Sequence, residues 1–375
     1  MKKKIVYLTG TRADFGKQKA LIEITNESGL FDVHIWVTGM HLNTKYGGTV
    51  GEAYKYGFEN KNIFRYINHL DHDSMDHILA KTIEGFSFYI KGVKPDLIIV
   101  HGDRVEALAG AIVGSLNNIL VAHIEGGEIS GTIDELIRHA VSKMSHVHFV
   151  ANEEASLRLI QMGERKESIF VIGSPDMDII ESNNLPTFET VKSYYDILFD
   201  KYAILIFHPV TTECNNVNIQ ALNLVDAVIE SGDNYIVIYP NNDQGADYIF
   251  NAYEKLVGND HFRLYPSLRF EYFLTALKNA KYILGNSSTG IREAPHYGIP
   301  TINIGSRQNR RALSKQIIDC DYSKDGIVAA IKKADITHIS PEKKFGSGNS
   351  GQLFFDIICS DSFWDITHQK TFMDL

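Results

Sequence analysis

The chain has 375 residues, which favours two domains over one, and its hydrophobic (44%) and charged (22%) contents are those of an ordinary soluble globular protein. A net charge of −9 disfavours a general nucleic-acid binder, although a local basic site can still hold a phosphorylated ligand. No apolar run approaches membrane-spanning length, and the apolar part of MKKKIVYLTG is too short for a secretory signal.

The three cysteines, Cys214, Cys320 and Cys359, are odd in number and widely spaced. Their spacing matches neither a zinc motif nor a disulfide framework, and it is typical of a protein in a reducing compartment. We therefore expect a cytoplasmic protein with no structural metal.

The first half of the chain alternates predicted strands with predicted helices. Strands are predicted at 4–8, 31–38, 63–67, 97–100, 119–124 and 146–150, and helices at 17–27, 75–91, 105–116, from about 132, and at 153–162. The run at 97–100 is short and wholly apolar, as in a buried strand of a parallel sheet. Repeated β-α-β units of this kind predict a doubly wound sheet.

The pattern restarts near residues 163–174. A surface helix is predicted at 186–195, and five strands at 202–207, 234–239, 262–264, 282–284 and 301–304 alternate with helices. We therefore predict an α/β fold with two Rossmann-like domains, at 1–170 and 171–353. A helical, aromatic segment follows at about 354–375.

Three carboxylates lie where two predicted strands end and one predicted helix begins. Asp103 and Glu125 follow strands, and Asp134 is in the first turn of the helix that begins near 132. Ligands bind outside the carboxyl ends of strands in open α/β sheets, and clustered carboxylates there favour proton transfer. Helix capping explains Asp103 or Asp134 taken singly, but we prefer chemistry for the three acids together.

The motif TGTRADFGK combines a glycine turn, a helix N-terminus, Arg12 and Lys17. It lacks the G-x-G-x-x-G of a dinucleotide site. It also differs from Walker A, because Gly10 and Gly16 are one residue too far apart and Gln18 replaces Ser or Thr. Helix N-termini and arginine bind anions, so the motif favours a phosphate site. A solvated pair of basic residues explains this stretch equally well.

The motif GNSSTGIREAPHYGIPTINIG is the most specific signal outside the central acids. Ser287 and Ser288 follow a predicted strand, and N–H groups at the helix start can hold a diphosphate. Glu293 lies in the first turns, where a carboxylate can bind two ribose hydroxyls. Capping explains the serine pair almost as well.

Further polar residues lie in loops that follow predicted strands. His208 belongs to FHP, and Asn241 belongs to YPNND, which forms a turn in any protein. Arg307 and Arg311 can add positive charge to a phosphate site. His41 lies in the loop TGMHLNTKYGGT. Taken alone, a structural role is the better interpretation for His41 and His208.

The motifs HGDR, HIEGGE and GTIDELIRH resemble the central motifs of the hydrolysing UDP-N-acetylglucosamine 2-epimerases, above all those that make N-acetylmannosamine for bacterial sialic acid. The resemblance runs from residue 9 to about residue 311. Non-hydrolysing relatives have Pro-Glu after the first Arg and Glu-Ala-Gly-Leu-Arg in place of EGGEIS. The resemblance implies two Rossmann-like domains facing a cleft (GT-B architecture), a C-terminal helix crossing back to the first domain, and a homo-oligomer, either a dimer or a tetramer.

The resemblance also implies roles for the candidate residues. Asp103, Glu125 and Asp134 would transfer protons, with base and acid unassigned because coupled carboxylates titrate as a set, and His41 would support them beside the sugar. The residues implied to bind UDP are Arg12, Lys17, His208, Asn241, Ser287, Ser288, Glu293 and Arg307. Arg307 matches the family better than Arg311 does.

The implied reaction converts UDP-N-acetylglucosamine and water to N-acetylmannosamine and UDP, without a metal, a redox cofactor, nucleic acid or a membrane. The same reaction on UDP-N,N′-diacetylbacillosamine stays an alternative, because no motif indicates which C4 and C6 substituents of the sugar are recognised. A GT-B glycosyltransferase usually needs one base, so three clustered acids argue against it. A sugar-nucleotide sensor without catalysis also stays open.

Overall fold

The structure is a computed structural model that describes residues 2–46, 48–54, 62–69, 73–130, 132–182, 184–308, 317–337 and 339–374. It forms two compact units, each built on its own parallel sheet with helices packed against it. The first unit comprises Met1–Glu128, Asp134–Ser182 and Phe345–Leu375, and the second comprises Ile129–Ile133 and Asn183–Lys344. The predicted α/β class with two Rossmann-like sheets is confirmed.

The first unit contains a seven-stranded sheet in the order β3-β2-β1-β4-β5-β6-β7. The strands are β1 (Lys4–Thr9), β2 (Asp32–Val37), β3 (Ile63–Arg65), β4 (Leu97–His101), β5 (Leu120–Ile124), β6 (Val147–Val150) and β7 (Ile169–Val171). Both β4 and β5 are buried along almost their whole length, which explains their apolar sequences. The strand order reverses between β1 and β4, and ligands of doubly wound sheets bind at such a switch point.

The helices of the first unit connect these strands. They are α1 (Arg12–Glu27), α2 (Gly51–Tyr54), α3 (Met75–Val93), α4 (Val105–Leu116), α5 (Ile133–Met144), α6 (Glu153–Gln161) and α7 (Asp176–Ile180). The prediction that α1 begins at residue 17 is wrong, because Thr11 and Asp14 form a capping box that starts the helix at Arg12. Lys17 therefore lies in the second turn of α1 and not at its start.

The second unit contains a six-stranded sheet in the order β10-β9-β8-β11-β12-β13. Its strands are β8 (Ala203–Ile206), β9 (Tyr235–Ile238), β10 (Phe262–Tyr265), β11 (Ile283–Gly285), β12 (Thr301–Ile304) and β13 (Ile317–Cys320). Its helices are α8 (Phe188–Tyr195), α9 (Val217–Ser231), α10 (Ala246–Tyr253), α11 (Phe270–Lys278), α12 (Glu293–His296) and α13 (Lys324–Asp335). The sequence did not predict β13, because IIDC is short, half-buried and interrupted by an aspartate. The switch point of this sheet lies between β8 and β11.

The C-terminal segment packs on the first unit through α14 (Ser350–Ile358) and α15 (Asp361–Trp364). The Asp178 carboxylate accepts hydrogen bonds from the Ser350 and Gly351 N–H groups at 2.9 and 2.7 Å, which caps α14. Residues 365–374 are not helical, so helix occupies less of this segment than the prediction of 354–375. The first unit also extends past residue 170, because β7 pairs with β6 and α7 packs beside α1. Among the described helices, none has the length and apolar composition needed to cross a membrane.

Candidate active site

A buried arginine on α5 gathers the three predicted acids. Arg138 is 1% exposed, and it donates hydrogen bonds to the Asp103 carboxylate and to the Glu128 carbonyl at 3.3 Å. Burial lowers the pKa of Arg138, but the carboxylates of Asp103, Glu128, Asp134 and Glu125 outweigh that effect and hold its pKa above the ordinary value. Asp103 therefore contacts this buried cation directly, while Glu125 and Asp134 lie near enough to stabilise its charge.

Glu125 occupies a strained position at the end of β5. Its φ of +64° lies in the left-handed region, which is costly for a residue other than glycine and is concentrated at functional sites. The carboxylate accepts a hydrogen bond from the Ser174 hydroxyl and lies 3.3 Å from His101 Nε2 and 3.9 Å from Lys17 Nζ. The backbone thus aims this buried side chain into a group of polar partners.

Lys17 has carboxylate partners inside the first unit. Its Nζ lies 3.1 Å from the Asp176 carboxylate, which is fully buried, and 3.9 Å from Glu125. Arg12, also expected to bind phosphate, is the first residue of α1. The structure therefore places Lys17 with the acids, and its predicted role in binding UDP stays a prediction.

His41 is buried behind the β1–α1 turn. Its Nε2 lies 3.0 Å from Thr9 Oγ1 and its Nδ1 lies 2.7 Å from Thr49 Oγ1. Burial, and secondarily the Arg12 guanidinium, lowers the pKa of His41 to about 3. Thr9 also donates to Asp14, whose pKa burial raises to about 6. His41 is therefore neutral at physiological pH.

A buried amide organises the candidate site of the second unit. Asn286, directly after β11, accepts a hydrogen bond from the His208 N–H at 2.7 Å and donates one to the His208 carbonyl at 2.8 Å. Its own carbonyl accepts from Arg307 Nη1 at 3.2 Å and from Gln308 Nε2 at 2.8 Å. Two predicted ligands, His208 and Arg307, therefore meet at a residue that sequence reasoning did not assign.

The tautomer of the neutral His208 ring follows from its contact with the next loop. The Asn241 N–H donates to His208 Nδ1 at 3.0 Å, so neutral His208 carries its proton on Nε2. Asn241 also donates through its side chain to Asp243. Asn241 therefore helps to set the His208 tautomer, and His208 Nε2–H is suited to donate to an anion.

The GNSSTG segment begins with a very tight approach between strands. Gly285 has a φ of +130°, and a Cβ there would overlap the Ile206 carbonyl of β8, so only glycine fits. Ser287 caps the following 3₁₀ turn at Ser288–Gly290, accepting from the Thr289 N–H at 3.3 Å. The capping interpretation of Ser287 is thus present in the structure.

Glu293 begins the four-residue helix α12 and is 2% exposed. Arg311 lies outside the described residues. In the part of the chain that the structure describes, no three His, Cys, Asp or Glu residues are placed to hold a metal ion.

Arg138 and Asn286 were the main residues that sequence reasoning missed. Arg138 stands four residues after Asp134 in GTIDELIRH, a spacing that puts both on one helix face. Asn286 is the first residue after the strand in GNSSTG, at the position where ligand-binding loops begin. Both signals were present, but a buried arginine and a backbone-binding asparagine are hard to distinguish from surface residues without burial data.

Comparisons with known proteins agree over almost the whole chain. The family model of UDP-N-acetylglucosamine 2-epimerase matches residues 23–359. The chain is 44% identical to the UDP-N-acetylglucosamine 2-epimerase of Neisseria meningitidis serogroup B, over 100% of this chain and 99% of that one. It is 36% identical to the UDP-N,N′-diacetylbacillosamine 2-epimerase (hydrolyzing) of Legionella pneumophila, over 96% of each chain.

A solved structure shows the same fold. The Methanocaldococcus jannaschii UDP-GlcNAc 2-epimerase, in complex with UDP-GlcNAc and UDP, superimposes with a TM-score of 0.79 at 23% identity, covering 95% of this chain and 99% of that chain. Because the family match and the 44% identity both extend over most of the sequence, this protein belongs to the UDP-N-acetylglucosamine 2-epimerase family.

Proposed function

We propose that this protein is a hydrolysing epimerase that converts UDP-N-acetylglucosamine and water to N-acetylmannosamine and UDP. Membership of the family gives epimerisation at C2 of the sugar as the reaction class. The observation that carries the finer proposal is the gathering of Asp103, Glu125 and Asp134 around Arg138. Such a set of carboxylates can both remove a proton and deliver one.

In the first step a carboxylate of this set removes the C2 proton while the C1–O bond to UDP breaks. The electron pair of the C2–H bond becomes the second bond between C1 and C2, and UDP leaves with the electrons of the C1–O bond. Direct inversion at C2 would instead require a carbanion with no carbonyl beside it to stabilise the charge. Expelling UDP in the same step avoids that charge, and catalysis then depends on stabilising the leaving diphosphate.

In the second step water adds across the double bond. The hydroxyl joins C1, and a proton reaches C2 from the face opposite to the one that lost it, giving the manno configuration. The water supplies the C1 oxygen, and one proton is returned to the protein or solvent. Any of Asp103, Glu125 and Asp134 can be the base or the acid, because all three act on the charge of Arg138 and coupled carboxylates titrate as a set.

The second unit supplies most of the residues suited to hold UDP. His208 Nε2–H and the Arg307 guanidinium are donors of the kind that bind a diphosphate, and both are fixed by Asn286. We propose that Arg12, Ser287 and Ser288 add donors to the diphosphate. Glu293 is suited to the ribose hydroxyls, and Asn241 holds His208 in its donating tautomer.

Isotopic labelling tests the mechanism. In D₂O the original C2 hydrogen should be lost to solvent, and the product should carry one deuteron at C2. In H₂¹⁸O the label should enter the sugar at C1 and be absent from UDP, provided that the product is read before its anomers exchange oxygen. A product that keeps its C2 hydrogen, or ¹⁸O in UDP, would refute the proposal. Release of UDP-N-acetylmannosamine would indicate the non-hydrolysing reaction.

A second substrate has one observation in its favour. The Legionella relative at 36% identity is named for UDP-N,N′-diacetylbacillosamine. Purified protein should therefore be given each UDP-sugar separately, with the products followed by NMR. A kcat/KM at least tenfold higher for UDP-N-acetylglucosamine would support our assignment, and the reverse preference would replace it.

A further inference from the structure

We propose that Lys370, in the C-terminal tail, is a positioning residue for the acid site because it fixes the far end of α5. The N-terminal half of this helix carries Asp134 and Arg138. Lys370 lies beyond residues 23–359, the range that the family model matches. The inference rests on the proposed function, since it assumes that the acids around Arg138 perform the chemistry.

Lys370 binds the last turn of α5 directly. Its Nζ donates to the Ser142 carbonyl at 2.9 Å and to the Ser145 carbonyl at 2.5 Å, and it lies 2.6 Å from the Glu164 carboxylate. These three partners use the three donors of an ammonium group. The carbonyls at the end of a helix have no partner within the helix and attract positive charge, so Lys370 acts as a C-terminal cap.

The end of α5 is connected to the strand ends that carry the other two acids. The Ser142 hydroxyl donates to His123 Nδ1 at 3.0 Å, and His123 Nε2–H donates to the Gly102 carbonyl at 2.8 Å. Gly102 precedes Asp103, and His123 lies on β5 two residues before Glu125. Burial lowers the pKa of His123 to about 3, so the ring is neutral and these donor roles hold. A displacement at Ser142 is therefore transmitted toward both acids.

Further bonds hold the tail against the same elements. His146 accepts from the Val121 N–H of β5 at 3.1 Å and donates through Nε2 to the His368 carbonyl at 3.1 Å. Arg165 donates to the Thr371 hydroxyl at 2.9 Å. Burial lowers the pKa of Lys370 to about 8, so its charge is present at neutral pH. The tail thus holds α5 and β5 in a fixed relation.

The test compares Lys370→Met with Lys143→Met. Lys143 lies 2.7 Å from the same Glu164 carboxylate and 5.4 Å from the centre of the exposed Phe372 ring, but its ammonium donates to the Met162 carbonyl and not to the carbonyls at the end of α5. At 25 °C, with folding checked by circular dichroism, Lys370→Met should lower kcat roughly tenfold, because small displacements of catalytic groups are costly. Its KM and its Kd for UDP should stay within about twofold, since most of the residues proposed to bind UDP lie in the second unit and none of them contacts Lys370. Lys370→Arg should recover most of kcat, and Lys143→Met should change neither value.

Hydrogen exchange tests the positioning without any turnover. Amides of residues 137–141, which are hydrogen-bonded within α5, should exchange faster in Lys370→Met than in the wild type or in Lys143→Met. If the wild type fails to convert a UDP-sugar, the proposed function fails, while the exchange data still decide the role of Lys370. Unchanged protection at 137–141, or an equal fall of kcat in Lys143→Met, would overturn the inference. Lys370→Gln, with the same expectations, replaces Lys370→Met if that variant does not fold.

Discussion

The polar residues of the two units surround two different kinds of central side chain, one charged and one neutral. In the first unit a buried cation, Arg138, stands among four carboxylates. In the second unit the centre is a neutral amide, Asn286, which brackets the His208 backbone with two hydrogen bonds. Each group lies at the carboxyl ends of strands, around the switch point of its own sheet. The same location in two similar folds therefore supports two different kinds of site.

The difference follows from what each site is proposed to do. Proton transfer by this site uses several carboxylates, and a buried positive charge lets them stay ionised in a small volume. A site for a diphosphate needs oriented donors and few charges of its own, because the ligand brings the charge. A buried ion network is costly to break, whereas a neutral hydrogen bond contributes little net energy. Substitutions at the first centre should therefore have larger energetic effects than substitutions at the second.

The largest effect is expected at Arg138. Arg138→Met leaves buried carboxylates without their cation and should lower the free energy of unfolding of the first unit by about 3–5 kcal/mol. Trp36 and Trp364 both belong to the first unit and are the two tryptophans of the chain, so urea unfolding followed by tryptophan fluorescence reports on that unit. Arg158→Met removes a partly exposed pair with Glu154 and one hydrogen bond to the Gly127 carbonyl at 3.2 Å, and should cost no more than about 2 kcal/mol. Equal losses in the two variants would contradict the central role of Arg138.

The next effect separates chemistry from binding. Asp103→Asn, Glu125→Gln and Asp134→Asn should each lower kcat by roughly a hundredfold or more, the usual contribution of acid–base groups. UDP affinity, measured by calorimetry, should barely change. Glu135→Gln is the matched control, because it lies beside Asp134 in the same helical turn and lies 3.6 Å from His139 instead. If all three acid variants lost UDP binding, the proposal that these acids perform proton transfer and do not hold the nucleotide would be wrong.

The stability of the first unit should depend on pH through His41. Its pKa is about 3 when folded and about 6.5 when unfolded, so unfolding takes up a proton between these values and stability falls as the pH drops below 6.5. From pH 8 to pH 5 this costs about 2 kcal/mol. Asp14 acts in the opposite sense, because its raised pKa makes the folded state bind a proton below about pH 6.

The comparison of wild type with His41→Asn isolates the histidine. Over the same pH range the wild type should lose about 2 kcal/mol more than the variant, with Trp fluorescence again reporting on the first unit. Parallel curves for the two proteins would show that His41 is not held neutral in the folded state.

Much of the fold follows directly from the sequence. Apolar runs such as 97–100 and 119–124 predicted the buried strands, and their alternation with helices predicted both sheets. The failures have local causes. The start of α1 was placed five residues late because the capping box at Thr11 and Asp14 was not recognised, and β13 was missed because it is short and half-buried.

The candidate residues were easier to find than their partners. Asp103 and Glu125 follow strands, so their location could be predicted from topology. That a buried Arg138 contacts Asp103, or that Lys17 faces Asp176, depends on how α5 and α1 pack on the sheet. Pair contacts of this kind are set by tertiary packing, which the periodicity of one segment does not encode.

The smallest expected effect is at the neutral centre. Asn286→Ala removes both hydrogen bonds to the His208 backbone and should weaken UDP binding by about 1 kcal/mol, roughly fivefold in Kd, because neutral hydrogen bonds each contribute about that much. The cost stays small because His208 Nδ1 still accepts from the Asn241 N–H, which keeps the ring in its donating tautomer.

Asn303→Ala is the control, since Asn303 is also buried, lies on the neighbouring strand β12, and donates a hydrogen bond to Asp319. Calorimetry with UDP should show the loss for Asn286→Ala alone. A loss above about 3 kcal/mol would mean that Asn286 touches the nucleotide, or that the second unit is no less sensitive than the first.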